Sequence, residues 1–188
     1  MSHISKWKIT ESEYVVNDRW IKVRADRCEL DNGVIIEPYY VLQYPTWVNT
    51  FALTPDEEVV LVRQYRHGIG RIVLELPSGT VEQSDDSIEK AARRELMEET
   101  GYGGGAFMET GCLSPNTANH LNLVHCFLAK DVELIAKPQE DDYEQIETVV
   151  KPLPEVIEMV RTNKFHQALH TSAVFWALDK LNRLDIHA

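Results

Sequence analysis

The sequence predicts an α+β fold, in which helices cover a mixed sheet and a small antiparallel β lobe precedes them. Strand-like and helix-like stretches follow one another without regular βαβ alternation, which favours an α+β arrangement or an α/β/α sandwich. The first 45 residues have the pattern of hairpin strands, and a later helix carries carboxylates within its apolar stripe. We therefore expect an N-terminal lobe at residues 1–45 and a main domain at residues 46–188.

The N-terminal stretch reads as antiparallel strands over residues 13–43. The turn Asp31-Asn32-Gly33 lies between two alternating β-branched runs, which is a strong hairpin signal. Pro38 places part of the second arm at a sheet edge or a bulge, because proline cannot donate to a strand ladder. Since a lobe of this size is small for independent stability, we expect it to pack on the main domain or on another subunit.

Three further strands are predicted before the central helix, at residues 47–54, 59–65 and 72–77. Pro77 stops the last of them, and Ser78-Gly79 is expected to turn the chain.

The central helix has its predicted N-cap at Asp86, with Glu89 completing a capping box, and Gly101 is placed to end it. The glycine-rich residues 101–105 are expected to form a flexible exit. Strands follow near residues 106–113, 121–130 and 146–153, with a polar loop and an acidic loop between them, and the chain closes with two helices near residues 154–163 and 166–184.

The central helix has an unusual buried face. At 100° per residue its apolar stripe consists of Ile88, Ala91, Ala92 and Leu96. Glu95 and Glu99 fall in the middle of that stripe, and Glu98 lies at its edge. Glutamates on a helix normally form a solvated face, but unpaired buried carboxylates cost several kcal/mol each, so a cation is expected beside these. A hard divalent metal is the first candidate.

Composition excludes several functional classes. The net charge of −11 and the pI near 5.1 argue against nucleic-acid binding, and an anionic substrate would need local help from metal or arginine. The cysteines are few and show no zinc-binding spacing, which predicts reduced thiols in a cytoplasmic protein. No apolar run reaches 18 residues and the first 20 residues are polar, so we expect neither a membrane span nor a secretory signal.

The stretch from Glu75 to Tyr102 resembles the Nudix box, the signature of hydrolases that act on nucleoside diphosphates linked to another group. Arg94-Glu95-Leu96-Met97-Glu98-Glu99-Thr100-Gly101-Tyr102 matches the second half of that pattern fully. The first half departs from it, with one extra residue between Gly79 and Asp86 and with Asp86 where the family has glutamate. Because aspartate also caps helices well, we expect a small structural adjustment there.

The resemblance extends over nearly the whole chain. Residues 53–79, the hairpin lobe and the acidic loop are similar to those of ADP-ribose pyrophosphatases and related nucleoside-diphosphate-sugar hydrolases. This resemblance implies a Nudix-type α/β/α sandwich with a mixed sheet.

The resemblance also implies a metal site. Glu95 and Glu99 would be the main ligands, with Glu98 as a third and the backbone carbonyl of Ser78 facing them. The expected ion is Mg²⁺, with Mn²⁺ as an alternative, and Gly79 would lie beside the substrate.

An acidic residue on the late loop would position or deprotonate the attacking water. The alignment places Glu144 there, with Asp142 two residues before it, and residues i and i+2 of an extended segment point the same way. The alternative is a merely solvated acidic loop.

Substrate contacts follow from the resemblance as well. Arg66 matches an arginine that contacts phosphate, although a surface salt bridge is the alternative. Glu75 would support the metal ligands or form a salt bridge. Trp20 would stack on the nucleobase, reaching the site from a partner subunit, although a core tryptophan is the alternative.

The function implied is Mg²⁺-dependent hydrolysis of the pyrophosphate bond of ADP-ribose or a related nucleoside diphosphate sugar, giving a nucleoside monophosphate and a sugar phosphate. The expected assembly is a homodimer through the N-terminal lobe. One alternative is hydrolysis of another nucleotide sugar or a dinucleotide, such as GDP-mannose. Another is a non-catalytic module that senses a nucleotide, but such a module should lack part of the Arg-Glu…Glu-Glu core, which this chain keeps.

Overall fold

The computed structural model describes residues 4–139 and 145–184, and within them the chain forms ten strands and three α-helices. These elements fall into two compact units. The first comprises residues up to 45 together with residues 114–123, and the second comprises residues 46–113 and those from 124 onward.

The first unit contains an antiparallel sheet in the order β1-β2-β3. Its strands are β1 (Lys8–Asn17), β2 (Lys22–Glu29) and β3 (Ile35–Gln43). Gly33 closes the turn between β2 and β3 with a φ of 78° and donates its N–H to the Leu30 carbonyl at 2.8 Å, which confirms the predicted hairpin. The pairing slips between Asp26 and Cys28, opposite Pro38, so Pro38 lies at a bulge on an edge strand as expected.

The second unit is built on a seven-stranded sheet with the central order β10-β5-β4-β9-β8. Its strands are β4 (Trp47–Leu53), β5 (Glu58–Arg66), β6 (Arg71–Glu75), β7 (Ser78–Thr80), β8 (Tyr102–Leu113), β9 (Val124–Leu134) and β10 (Ile146–Pro152). The β4 and β9 strands run parallel, whereas the other pairs are antiparallel. The sheet is therefore mixed, as the sequence predicts.

Helices cover both faces of this sheet. They are α1 (Ile88–Thr100), α2 (Leu153–Arg161) and α3 (Ala168–Lys180). Leu96 of α1 packs with Ala52 and Val60 on one face, while α2 and α3 pack with the alternate strand residues Phe51 and Leu61 on the other. A sheet buried on both faces requires apolar side chains at successive positions, which β4 and β5 supply. The fold is thus the predicted α+β, α/β/α sandwich.

No described helix is long and apolar enough to cross a membrane.

Three local predictions are wrong. The N-cap of α1 is Ser87, whose hydroxyl accepts the Lys90 N–H at 3.2 Å, and Asp86 precedes it. The chain turns at residues 76–77 and not at Ser78-Gly79 as expected. Residues 78–80 therefore form the short strand β7, which pairs with β4.

The glycine-rich exit is also ordered as the start of β8. Gly101 ends α1 with a φ of 74°, as predicted, but the residues after it pair with β9. At Gly105 a Cβ would lie 2.2 Å from the Lys130 carbonyl oxygen. Glycine therefore permits close strand pairing here, and it does not provide a flexible link.

Candidate active site

The carboxylates of α1 are graded in burial. Glu99 is only 9% exposed, the Glu95 side chain 15% and the Glu98 side chain 36%. This gradient follows the helical angles, because Glu95 and Glu99 lie within the stripe that carries Leu96 and Glu98 lies at its margin. The two most buried carboxylates therefore need partners that compensate their loss of hydration.

Backbone amides of β7 supply part of that compensation. The Ser78 N–H donates to Glu99 Oε2 at 2.9 Å, and the Thr80 N–H donates to Glu95 Oε1 at 3.0 Å. Between them, a Cβ on Gly79 would lie 2.1 Å from the Glu95 carboxyl carbon. Only glycine lets the helix carboxylate approach this strand so closely.

Arg94 links the helix carboxylates to the segment before the helix. Its Nη1 donates to Glu95 at 3.0 Å and to Glu98 at 2.9 Å, and its Nη2 donates to the Thr80 carbonyl at 2.8 Å. Its Nε and Nη2 also bind the buried carboxylate of Asp85, at 3.1 and 3.0 Å. A single guanidinium thus fixes the spacing of two helix carboxylates relative to β7.

The pKa values reflect this arrangement. The hydrogen bonds from Arg94 hold the pKa of Asp85 below its ordinary value, against the effect of burial. The same hydrogen bonds, donated by Arg94 to Asp85, raise the pKa of Arg94, which stays charged. Burial raises the pKa of Glu95 despite the nearby Arg94 charge, so the site favours further positive charge beside that carboxylate.

The donor set fits a hard divalent cation. Glu95, Glu98 and Glu99 present only carboxylate oxygens, which Mg²⁺ and Mn²⁺ prefer as ligands, and the Glu95 carboxylate lies directly over Gly79, where any Cβ would overlap it. Across the described ranges, no trio of His, Cys, Asp or Glu side chains converges on one point. Arg94 donates hydrogen bonds to Glu95 and Glu98, and the Ser78 N–H donates one to Glu99. Their role as metal ligands, together with that of the Ser78 carbonyl, stays a prediction.

A cavity of about 420 Å³ opens beside β7 within the second unit. Its walls are Trp47, Asn49, Arg66, Ser78, Gly79, Thr80, Gln167, Leu169 and His170. Three predicted site residues, Arg66, Ser78 and Gly79, are therefore brought to one cavity. Arg66 is partly exposed and binds the buried Glu75 through Nε at 2.8 Å, so the predicted salt bridge is present.

His170 is a cavity residue that the sequence analysis missed. It is 3% exposed, and its Nδ1 accepts the Leu76 N–H at 3.3 Å. Burial lowers the pKa of His170 to about 3, so the imidazole is neutral. The signal was present in the sequence, because His170 stands at i in an i, i+3, i+4, i+7 stripe with Ala173, Val174 and Ala177.

Trp20 belongs to the first unit and is 70% exposed, so it is not a core tryptophan. The Arg19 guanidinium lies over its ring at 4.4 Å, and Asp18 accepts the Trp20 N–H at 2.7 Å. Within this unit, the ring borders a cavity of about 330 Å³ that Tyr44 also lines. An exposed ring in a preorganised turn is suited to stacking, and base stacking by Trp20 remains a prediction.

The proposed water-activating residues, Glu144 and Asp142, lie outside the described residues.

Two family models match the chain in succession. Residues 7–42 match the nucleoside diphosphate sugar hydrolase N-terminal domain. Residues 44–170, well over half of the 188, match the NUDIX domain.

Known proteins resemble the chain over nearly its whole length. The ADP-ribose pyrophosphatase of Bacillus subtilis is 26% identical over 170 residues, covering 89% of this chain and 90% of that protein. The methanol dehydrogenase activator of Bacillus methanolicus is 26% identical over 179 residues, covering 93% and 94% respectively. The crystal structure of an ADP compounds hydrolase superposes with a TM-score of 0.82 at 24% identity, covering 98% of this chain and 100% of the other. That superposition shows a shared fold.

Proposed function

The chain belongs to the Nudix family, and from this premise we propose that it hydrolyses the pyrophosphate bond of a nucleoside diphosphate compound at a site loaded with a divalent cation. The observation that carries this proposal is the close seating of Glu95 and Glu99 on the amides of Ser78 and Thr80, across Gly79. It holds two carboxylates against the strand β7, whose residues Ser78, Gly79 and Thr80 line a cavity within the size range of small-molecule sites.

The α1 carboxylates hold the cation in this proposal. A divalent ion bound there would neutralise charge on the pyrophosphate oxygens and activate a water molecule. Nudix hydrolases generally depend on divalent metals, and Mg²⁺ is our specific proposal, with Mn²⁺ as the alternative. Arg94 keeps Glu95 and Glu98 at a fixed separation, so that these ligands are oriented before the substrate arrives.

Arg66 is proposed to contact phosphate. Its salt bridge to Glu75 uses Nε, and the guanidinium carries further N–H groups that suit phosphate oxygens. The buried Glu75 carboxylate restrains the arginine beside the cavity. The salt bridge and the phosphate contact are therefore compatible.

The proposed products are a nucleoside monophosphate and a sugar phosphate, from ADP-ribose or a related nucleoside diphosphate sugar. Support comes from the family description of residues 7–42, which names nucleoside diphosphate sugars, and from the similarity to an ADP-ribose pyrophosphatase. Glu144, or Asp142 two residues before it, is proposed to position or deprotonate the attacking water.

We also propose that Trp20 stacks on the base and that the first unit joins two copies of the chain. The exposed ring of Trp20 and the exposed apolar residues of β1 and β3 support both ideas. A cytoplasmic location agrees with the unpaired cysteines and is part of the same proposal.

One substrate screen tests this function. Purified protein is incubated with ADP-ribose, other nucleotide sugars including GDP-mannose, and dinucleotides, with Mg²⁺, with Mn²⁺ or with chelator, and the products are identified by mass. We expect cleavage of ADP-ribose or a close relative into two phosphate monoesters, lost when the metal is chelated.

The alternative functions predict different results. Turnover confined to GDP-mannose or to a dinucleotide would identify that compound as the substrate in place of ADP-ribose. Nucleotide binding without turnover of any compound, in either metal, would replace the enzyme by a sensing module.

A further inference from the structure

Three side chains outside the cavity form a hydrogen-bonded chain on the paired strands β8 and β9. Glu109 Oε1 lies 2.7 Å from His125 Nδ1, and His125 Nε2 lies 3.7 Å from the Cys112 Sγ. The order is carboxylate, imidazole and thiol, with the two ring nitrogens facing opposite partners. None of the three residues lines the cavity beside β7.

The strand pairing brings the three together. Cys112 and His125 are direct partners in the antiparallel register, so their side chains share one face of the sheet. Glu109 is three residues before Cys112 and would ordinarily point to the other face. A register shift between Glu109 and Gly111 inserts one extra residue and returns both side chains to the same face.

The backbone of this bulge is closely packed. A Cβ on Gly111 would lie 2.3 Å from the ring of Trp176, so only glycine fits beneath that ring. The bulge therefore rests on a specific packing contact, and the positions of Glu109 and Cys112 are set by it.

The protons on the ring follow from its partners. A carboxylate only accepts hydrogen bonds, so His125 Nδ1 carries the hydrogen and donates it to Glu109. In the neutral ring Nε2 then holds a lone pair, and this lone pair faces the thiol of Cys112. A nucleophile, a base and a group that orients the base are thus arranged in sequence.

We propose that Cys112 is a site of reversible modification by low-molecular-weight disulfides, with His125 as its base and Glu109 as the residue that positions His125. His125 Nε2 takes the thiol proton, and the Cys112 thiolate attacks one sulfur of the small disulfide. A new S–S bond forms as the old one breaks, and the departing thiolate takes the proton back from His125. The Cys112 sulfur is oxidised and the departing sulfur is reduced, so atoms and electrons balance.

The other two cysteines lack this environment. Cys28 and Cys126 are buried, whereas Cys112 is exposed to reagents. Burial, and secondarily the Glu109 charge, raise the pKa of the Cys112 thiol. A thiol that is protonated at neutral pH needs a base to react, and the thiolate it gives is more nucleophilic than one of lower pKa.

The test measures the rate at which the folded full-length protein reacts with dithiodipyridine, a neutral disulfide, with the adduct located by mass spectrometry. Cys112→Ser should abolish the fast reaction, and Cys28→Ser, the matched control, should leave it unchanged. His125→Gln should slow it at least about tenfold, a part of the roughly 10²–10⁴-fold that a general base typically contributes. Thermal unfolding of each variant checks that the fold is kept.

Glu109→Gln decides the question even if His125→Gln fails to fold. It should slow the reaction several-fold and shift the His125 tautomer seen by nitrogen NMR, which loss of packing alone would not do. A rate within about twofold of wild type in the folded His125→Gln protein, or in Glu109→Gln, would reduce Cys112 to an ordinary surface thiol. A fast phase that survives Cys112→Ser would also overturn the proposal.

Discussion

Gly79 controls how closely the α1 carboxylates approach β7. A Cβ at this position would overlap the Glu95 carboxylate, with all three carboxyl atoms within 2.1 to 2.3 Å. We predict that Gly79→Ala displaces Glu95, breaks its hydrogen bond from Thr80 and lowers kcat by about 10²-fold, because a displacement near 1 Å can cost that much. Steady-state kinetics over a metal titration measure the effect.

Gly68→Ala is the matched control for this substitution. A Cβ at Gly68 would meet no atom within 4 Å, and its φ is not in the left-handed region. Activity should stay close to wild type in Gly68→Ala. Equal losses in both variants would show that the close approach at Gly79 does not matter to the reaction.

Glu99 is the most buried of the three helix carboxylates, and its charge can be removed without removing its shape. We predict that Glu99→Gln lowers kcat by more than about 10²-fold, since it removes an anionic metal ligand, while its amide oxygen can still accept the Ser78 N–H. Glu89→Gln, on the exposed face of the same helix, is the control and should retain activity. Near-normal turnover by Glu99→Gln, with the fold intact by thermal unfolding, would refute its assignment as a ligand.

The sequence predicts the position of a side chain when its neighbours lie on the same helix or strand. It does not predict contacts that depend on how segments distant in the sequence pack together. Helical angles alone place Glu95 and Glu99 within the buried stripe of α1. The contact of Arg94 with Asp85 depends on how the segment before the helix folds back. The position of Glu109 on the same face as Cys112 depends on a β-bulge that the local sequence pattern does not predict.

At the scale of elements, existence and type are predicted better than boundaries. The hairpin at Gly33 and the helix stop at Gly101 follow from residues that favour a positive φ. The strand β7 could not be predicted, because three residues acquire strand geometry only by pairing with β4. The start of β8 could not be predicted for a related reason, since glycines occur both in flexible links and in closely paired strands, and here the pairing with β9 determines the structure.

The α3 helix docks on the β6–β7 connection through the neutral His170. The unfolded chain binds a proton at His170 near the ordinary pKa of about 6.5, whereas the folded protein binds it only near pH 3. Stability from this residue is therefore complete at neutral pH and is lost as pH falls from about 6.5 towards 3. By pH 5 the loss should be about 2 kcal/mol.

Urea unfolding at several pH values measures this loss. His170→Asn keeps an acceptor for the Leu76 N–H and should flatten the pH dependence between pH 7 and 5, whatever its stability at neutral pH. His166→Asn, at an exposed position, should keep the wild-type slope. Parallel pH profiles for wild type and His170→Asn would contradict a neutral buried imidazole.

At the scale of the whole molecule, the two units differ in how much of their apolar side-chain surface is exposed. The sheet of the second unit is buried on both faces by helices. The first unit leaves many large apolar residues exposed on its sheet or directly beside it: Trp7, Ile9, Tyr14, Val15, Val16, Val34, Ile35 and Tyr40. Exposed apolar surface of this extent marks an interaction site, and the charge of −11 disfavours nucleic acid as the occupant.

A second copy of the chain is the occupant that we propose, because β1 and β3 are edge strands and identical apolar surfaces can cover each other around a two-fold axis. The wild-type protein should sediment at about twice the chain mass of 21.6 kDa. Val15→Lys combined with Ile35→Lys should give the monomer mass, since each unpaired buried charge costs several kcal/mol.

Leu134→Lys combined with Ile135→Lys is the matched control, because it changes two exposed apolar residues in the second unit. This control should remain dimeric and active. If Trp20 of one copy serves the site of the other, the monomeric variant should also show a raised KM for the nucleotide with little change in metal activation, since stacking contributes about 1–3 kcal/mol to binding. A wild-type monomer would contradict the proposed dimer, and a first-unit variant that stays dimeric would place the dimer contact elsewhere. Either result would leave the exposed sheet to a different partner.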